Sequence, residues 1–176
     1  MELMDIYDEN RMRTGRTFER GAELAPGEYC YVVHVYIFNS EGKLLIQQRQ
    51  SFKSGWANMW DTSAAGAVSA GETTAQAAER ETLEELGYEL KLADTRPHMT
   101  ISFDYGFSDA FIVERDLDIE GLKLQYEEVQ AVKWASLDEI KELIITGEFV
   151  PLKSGLIDLV FASRKHRGTL NTLEEA

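Results

Sequence analysis

Cysteine is almost absent from this sequence. Its 176 residues include one, Cys30, so an internal disulfide and a cysteine-rich zinc site are both excluded. Cys30 lies in an apolar segment, where free cysteines are usually buried, and we expect it to be an inert core residue. Any bound metal ion should therefore be held by oxygen ligands.

Long apolar runs and targeting signals are also lacking. No apolar run reaches the ~18 residues that a membrane helix requires, so no membrane partner is expected. The N-terminal residues mix apolar and acidic side chains, without the basic region and apolar core of a secretory signal. We therefore expect a cytoplasmic protein.

Basic residues are in short supply. The chain has 18 Lys and Arg against 31 Asp and Glu, which gives a formal net charge of -13. A sequence-independent grip on DNA or RNA needs a basic surface, so polymeric nucleic acid is not expected as a partner. A small phosphorylated ligand remains compatible with an acidic protein, because a divalent cation can screen it from the carboxylates.

The apolar content, in contrast, is that of a globular protein. Hydrophobic residues make up 44% of the chain and aromatic residues 10%, more than disordered chains contain. The length predicts a single domain over residues 1–176. Turn residues mark residues 1–27 as an N-terminal hairpin extension of this domain. Residues 168–176 are expected to be a frayed tail.

The chain between these ends alternates predicted strands and helices. β-branched and aromatic residues predict strands over residues 29–39 and 43–49, a strand pair within 100–114, and a strand over 129–134. The first two are expected to form a hairpin at the heart of a sheet. Capping signals and helix-ending glycines predict helices over Thr74–Leu86, Leu137–Thr146 and residues 155–164.

The first predicted helix carries a cluster of carboxylates. At 100° per residue, Glu81, Glu84 and Glu85 fall on one arc of about 100°. Such faces are most often simply solvated, yet like charges at this spacing repel one another. A hard divalent cation such as Mg²⁺ would relieve the repulsion, because it prefers oxygen ligands.

The residues around this helix form a longer pattern. Gly66, Glu72, Arg80-Glu81, Glu84-Glu85 and Gly87 match the frame G-x5-E-x7-R-E-U-x-E-E-x-G-U at every fixed position. The two positions marked U, which usually hold bulky aliphatic residues, hold Thr82 and Tyr88. The chain therefore resembles the Nudix hydrolase superfamily. The resemblance implies an α/β fold, an α/β/α sandwich with a central mixed β-sheet.

The resemblance also implies an activity and a set of site residues. The activity is Mg²⁺-dependent hydrolysis, with Mn²⁺ as the alternative metal, of the pyrophosphate bond in a nucleoside diphosphate linked to another moiety. The substrate is thus a small phosphorylated molecule, and a homodimer stays open. The implied metal ligands are the Gly66 carbonyl and Glu81, Glu84, Glu85 and Glu128. The same four glutamates and Arg80 form the catalytic set, with Arg80 expected to orient neighbours such as Glu72.

Substrate contacts and the general base are less sharply defined by the sequence. Either Glu81 or Glu128 can serve as the base, because sequence does not show which one reaches the attacking water. Arg49 and Lys53 could meet a phosphate, or be ordinary surface charges. Trp56 and Trp60 could stack on a substrate, although large aromatics near a sheet are more often packing. His34 is expected to be a satisfied core histidine.

Two other functions are consistent with parts of the pattern. Within the Nudix superfamily, residues 2–21 and 34–49 most resemble the branch that contains isopentenyl-diphosphate isomerase. That enzyme uses a cysteine and a histidine in a Cys-Gly-His-Pro stretch, whereas this chain has Ala65 and Ala67 in their places, so isomerisation is disfavoured. A non-catalytic nucleotide-sensing module is disfavoured too, because sensors tend to lose the metal-binding glutamates.

Overall fold

The computed structural model describes residues 2–93 and 95–168. The strands are β1 (Leu3–Tyr7), β2 (Arg13–Glu19), β3 (Cys30–Phe38), β4 (Leu44–Arg49), β5 (Trp60–Asp61), β6 (Ala64–Ala67), β7 (Met99–Phe103), β8 (Gly106–Glu114) and β9 (Val129–Ala135). The helices are α1 (Thr74–Leu86), α2 (Leu137–Thr146) and α3 (Ser154–Ala162), and Ile119–Gly121 forms a 3-10 turn. Apart from Gly168, the predicted frayed tail lies outside the described residues.

An N-terminal hairpin precedes the main sheet. Strands β1 and β2 pair antiparallel, and the Asp8 carboxylate closes their turn by accepting hydrogen bonds from the amides of Asn10 and Met12. The hairpin is attached to the loop before α1, where the Gly71 amide donates to Asp5 at 2.9 Å. It therefore stands beside the segment that leads into the acidic helix.

Strand β3 is the centre of the mixed main sheet. It runs parallel to β8 along its whole length, from Cys30 opposite Gly106 to Phe38 opposite Glu114. Strand β7 pairs antiparallel with the far side of β8 and forms the sheet edge. On its other side β3 pairs antiparallel with the short strand β6, which the sequence did not predict.

Strands β3 and β4 form the predicted hairpin, but they are paired only beside its turn. They pair only at Phe38 and Leu44, and β4 then takes β9 and β5 as its partners. Ser63 lies in the gap between them: its hydroxyl accepts from the Ile37 amide and donates to the Leu45 carbonyl. The divergence of the two strands makes room for β6, which leads to the acidic helix.

The two faces of the sheet carry separate hydrophobic cores. Side chains of β3 alternate between them, so that Val33 and Val35 enter the core beneath α1. Tyr36 and Phe38 enter the opposite core, which includes residues of α2 and α3. This layering confirms the predicted α/β/α sandwich. Among the described residues, no helix is long and apolar enough to cross a membrane.

The helix ends follow the capping signals. The hydroxyl of Thr73 accepts from the Gln76 amide, the Gln76 side chain returns the bond, and Gly87 ends α1 with φ 67°. Helix α2 has the same arrangement between Ser136 and Gly147. Helix α3 ends two residues earlier than predicted and begins one residue earlier. These caps set the two ends of α1 and of α2.

One half-buried histidine is expected to make the fold pH-sensitive. The Nδ1 atom of His98 accepts a hydrogen bond from the Ile112 amide, and burial lowers the pKa of His98 to about 4. The folded protein therefore binds fewer protons than the unfolded chain, in which a histidine titrates near ~6.5. Stability is full above pH ~6.5 and is lost as the pH falls through the folded pKa.

The His98 contribution can be isolated with one variant. Between pH 7 and pH 5 we expect the free energy of unfolding of the wild type to fall by about 1–2 kcal/mol more than that of His98→Asn, allowing for partial exposure of the ring. The Asn side chain keeps an acceptor near the Ile112 amide but does not titrate. Urea unfolding at both pH values measures the difference. An equal change in the free energy of unfolding between pH 7 and pH 5 in the two proteins would disprove the role of His98.

Candidate active site

The acidic face of α1 lies against strand β6. Glu81 is 8% exposed, and its carboxylate occupies the space beside the α-carbon of Gly66. A β-carbon at position 66 would overlap that carboxylate. Glycine is therefore required at position 66 by close approach, since its φ is not in the left-handed region.

Arg80 organises the polar side chains around Glu81. Its guanidinium pairs bidentately with Glu72, at 2.8 Å from Nε to Oε1 and 3.0 Å from Nη2 to Oε2. Its Nη1 donates to Glu81 at 2.8 Å and to Glu84 at 3.2 Å, and Nη2 also donates to the Ala67 carbonyl. These bonds raise the pKa of Arg80, with Glu72 the largest cause, and lower the pKa of Glu72 against the effect of burial.

Glu85 is held differently, because it pairs with no cation in the described part of the chain. It is 5% exposed, and its Oε2 accepts from the Gln47 side chain at 2.9 Å and from the Ala65 amide at 3.2 Å. Burial raises the pKa of Glu85 to about 8 and also raises the pKa of Glu81. The Oε1 atom of Gln47 is buried and has no hydrogen-bond partner among the described residues.

The loop before β9 brings Glu128 close to the glutamates of α1. The amides of Lys123 and Gln125 donate to the carbonyls of Leu86 and Glu85, so the loop is bonded to the last turn of α1. Glu128 follows in the same loop, and its carboxylate forms a 2.6 Å ion pair with Lys53. Two segments distant in sequence thus meet at the C-terminal end of the helix.

These side chains surround a polar cavity of about 390 Å³, which we call the carboxylate cavity. Seven of the predicted site residues line it: Arg49, Lys53, Arg80, Glu81, Glu84, Glu85 and Glu128. Its other lining residues are Glu2, Arg20, Ala65, Ser69 and Gln125, none of which the sequence predicted as a site residue. Glu2 and Arg20 belong to the hairpin segment and are joined by a 2.8 Å ion pair.

A second, larger cavity of about 880 Å³ adjoins the first, and we call it the hairpin cavity. Arg20, Arg49 and Ala65 line both. Gly66 and Trp56, which is 56% exposed, line the hairpin cavity. Trp60 lines neither cavity: it packs against the core beside α2 and α3, with the ammonium of Lys133 4.5 Å from the centroid of its ring.

Two further residues fall on the wall of the hairpin cavity. His34 has a hydrogen-bond partner in Ser108, as expected of a satisfied histidine, but it is partly exposed and lines this cavity. Cys30 also lines it but is 6% exposed, and burial raises the pKa of its thiol. The sequence reasoning missed the cavity itself, since its walls come from segments that only the tertiary fold brings together.

The donor set of the carboxylate cavity fits a hard divalent cation in chemistry, although the carboxylates have other partners here. Within residues 2–93 and 95–168, no three Asp, Glu, His or Cys side chains are arranged to hold a metal ion. Arg80 engages Glu81 and Glu84, and Lys53 engages Glu128. Glu85 is nevertheless a buried carboxyl group without an ion-pair partner, and burial raises its pKa to about 8, so a bound cation would be needed to stabilise its charge.

Comparisons with known proteins agree with this geometry. Residues 28–153 match the family profile described as the NUDIX domain. An uncharacterized Nudix hydrolase of Listeria monocytogenes is 48% identical over 151 residues, which cover 86% of this chain and 89% of the relative. An isopentenyl-diphosphate Delta-isomerase of Pectobacterium atrosepticum is 30% identical and is matched over 81% of this chain and 82% of the relative.

The same fold is found among solved structures. A crystal structure of a protein from Deinococcus radiodurans superposes with a TM-score of 0.72 and 26% sequence identity, covering 90% of this chain and 97% of that one. The sheet, the acidic helix, the family profile and the Listeria relative all point to one family. The chain belongs to the Nudix hydrolase family and is a pyrophosphohydrolase of that family.

Proposed function

We propose that this protein is a Mg²⁺-dependent hydrolase that cleaves the pyrophosphate bond of a nucleoside diphosphate linked to another moiety. The observation that carries the proposal is the carboxylate cavity, where Glu81, Glu84, Glu85 and Glu128 stand together with four cationic side chains. Cations stabilise the charge of a diphosphate, and a carboxylate can act as general base on the water that attacks phosphorus. The cavity offers both kinds of group within about 390 Å³.

The metal would be held by Glu81, Glu84, Glu85 and Glu128 and by the carbonyl of Gly66. When bound, a divalent cation neutralises the diphosphate, makes water more acidic and stabilises the leaving oxygen. All five donors are oxygens, a set that suits both Mg²⁺ and Mn²⁺, so Mn²⁺ is the alternative metal in this proposal. Glu85 and the unpartnered Oε1 of Gln47 support it, because both are buried acceptors next to the cavity.

The cationic residues would divide between positioning and substrate binding. Arg80 has a fixed partner in Glu72, so we assign it to orienting Glu81 and Glu84. Lys53 lines the cavity beside Glu128, and Arg49 lines it while its guanidinium faces Asp61 at 3.4 Å; both would bind the diphosphate oxygens. The general base is Glu81 or Glu128, each of which is held by a cation, Arg80 and Lys53 respectively.

Of the two tryptophans predicted to contact substrate, the structure favours Trp56 over Trp60. Trp56 lines the hairpin cavity and is well exposed, so a substrate ring could stack on it. Trp60 lies against the second core and under Lys133, which favours a packing role over the predicted substrate contact. Trp56 therefore remains in the proposed substrate site.

Isomerisation of a prenyl diphosphate is the competing function, because the chain is similar to the isopentenyl-diphosphate isomerase of Pectobacterium atrosepticum. Proton transfer to and from carbon needs an acid and a base beside the substrate. The positions that carry them in the isomerase pattern are Ala65 and Ala67 here, and an alanine methyl group cannot transfer a proton. Hydrolysis is therefore the better proposal for this chain.

Product release from a defined panel tests the proposal. The compounds are nucleotide sugars, dinucleoside polyphosphates, ADP-ribose, nicotinamide dinucleotides, coenzyme A and prenyl diphosphates, each incubated with Mg²⁺ and with a chelator. We expect one class to be hydrolysed only when Mg²⁺ is present. Failure of the protein to hydrolyse any compound at high enzyme concentration would overturn the proposed reaction, and binding without turnover would favour a sensing module.

A further inference from the structure

The hairpin cavity has a wall that lies outside the segment matched by the NUDIX profile. The profile begins at residue 28, whereas the hairpin and the chain that follows it contribute Met4, Phe18 and Leu24 to the lining. The opposite wall is formed by the main sheet and includes Val32 and Phe103. The cavity is thus mostly apolar, and its volume is in the range of pockets that hold a nucleoside-sized group.

A group of polar side chains interrupts this apolar lining. His34 on β3 and Ser108 on the neighbouring strand β8 are joined by a 2.8 Å hydrogen bond between Nδ1 and Oγ. Asp61 lines the same cavity and lies close enough for its charge to act on the imidazole. Burial lowers the pKa of His34 and raises the pKa of Asp61, whose carboxylate also accepts from the Thr62 amide and lies 3.4 Å from the Arg49 guanidinium.

One of the two ring nitrogens of His34 is available to a ligand. Within the described residues its hydrogen bond to Ser108 uses Nδ1, while the ring lines the cavity. The bond to Ser108 fixes the orientation of the ring, which leaves Nε2 as a site for a ligand atom. An imidazole in a mostly apolar pocket is the kind of sparse, oriented polar group that gives small-molecule sites their specificity.

We propose that His34 determines which organic group of the substrate the site accepts. The preferred group is a planar ring that binds in the hairpin cavity and forms a hydrogen bond with Nε2 of His34. A hydrocarbon chain is disfavoured. Ser108 acts as a positioning residue for the imidazole. The inference rests on the proposed function, because it takes the diphosphate to lie in the adjoining carboxylate cavity. The shared lining residues Arg20, Arg49 and Ala65 make the two cavities continuous.

The preference follows from the cost of unpaired polar groups. A prenyl chain would fill the apolar part of the cavity, but it would cover Nε2 of His34 without offering it a hydrogen bond. Sites built around a polar group discriminate strongly against ligands that lack the matching atom. A ring with donor or acceptor atoms satisfies both the apolar walls and the imidazole.

Two matched probes test the inference without turnover. The α,β-methylene diphosphates of adenosine and of geraniol carry the same non-hydrolysable diphosphonate and differ only in the organic group. In calorimetric titrations with Mg²⁺, we expect the wild type to bind the adenosine probe at least about 10-fold more tightly than the geranyl probe. His34→Ala should weaken the adenosine probe by about 3- to 10-fold, the equivalent of one hydrogen bond, and leave the geranyl probe unchanged.

Further variants separate recognition from structural damage. His34→Gln should keep most of the affinity, because its amide nitrogen can reach the place of Nε2, and Ser108→Ala should show a smaller loss than His34→Ala. His98→Asn, on the edge of the sheet away from the cavity, is the control and should bind both probes as the wild type does. Equal weakening of both probes by His34→Ala, or no weakening, would overturn the inference, as would a wild type that prefers the geranyl probe or binds neither.

Failure of this inference can be distinguished from failure of the proposed function. If no compound of the hydrolysis panel is cleaved but adenosine-probe binding still depends on His34, the reaction is wrong and the specificity assignment stands. If Mg²⁺-dependent hydrolysis occurs and His34→Ala does not raise the KM for nucleotide substrates, the reaction stands and the assignment to His34 is wrong.

Discussion

Glu85→Gln is expected to lower kcat by about a thousand-fold, which corresponds to about 4 kcal/mol of transition-state stabilisation. The substitution keeps the size of the side chain and the bond to the Ala65 amide, but removes the charge that a divalent cation requires. Steady-state kinetics on the hydrolysed substrate measure the effect. Residual activity above about a tenth of the wild-type value would show that Glu85 does not bind the metal.

The same variant should be more stable than the wild type when metal is absent. The pKa of Glu85 is about 8 in the folded protein because of burial, so the folded state binds more protons than the unfolded chain, where a glutamate titrates near ~4.3. The free energy of unfolding therefore falls as the pH rises from about 4 to 8. Glu85→Gln removes this loss, and we expect a gain of about 2–4 kcal/mol near pH 8.

Urea unfolding with a chelator at pH 5 and pH 8 measures the gain. Glu142→Gln is the matched control, because Glu142 is exposed on α2 and lines neither cavity. It should change neither kcat nor stability by more than about 0.5 kcal/mol, as is usual for surface substitutions. An equal pH dependence in Glu85→Gln and in the wild type would contradict the assigned effect of burial.

Gly66→Ala is expected to lower kcat/KM by about 100-fold while the protein remains folded. The added β-carbon overlaps the Glu81 carboxylate, which must move away from the cavity and from Arg80. A displacement of about 1 Å in a catalytic group can cost about 100-fold in rate. Circular dichroism should show unchanged secondary structure, because the backbone at Gly66 needs no left-handed conformation.

A second glycine provides the control for this substitution. Gly155 lies in α3, has open space where its β-carbon would be, and lines neither cavity. Gly155→Ala should leave kcat/KM unchanged and stabilise the helix slightly. Wild-type kinetics in Gly66→Ala would mean that Glu81 can adapt and does not take part in catalysis.

Much of the framework of the site could be predicted from local signals in the sequence. The bounds of α1 were predicted from the capping box at Thr73 and the αL glycine at Gly87, because capping is a short-range property of the backbone. The proximity of Glu81, Glu84 and Glu85 follows from helical periodicity alone. Local rules therefore describe well the element that carries most of the carboxylates.

The surroundings of that helix depend on contacts between distant segments. The insertion of Ser63 between β3 and β4 has no local signature, and it decides which strands are neighbours. Arg20 enters the carboxylate cavity only because the N-terminal hairpin folds back onto the loop before α1. His34 lies on a strand whose alternation suggested a core position, and the sequence could not show that the neighbouring space is a cavity.

The backbone bonds from Lys123 and Gln125 to the end of α1 have a consequence for local unfolding. Opening either amide to solvent requires the loop to separate from the helix, so Glu128 and Glu85 should be lost from the site in a single cooperative event. In native-state hydrogen exchange these two amides should report the same opening free energy as the last turn of α1. The two halves of the site would then form one foldon, already assembled before any ligand arrives.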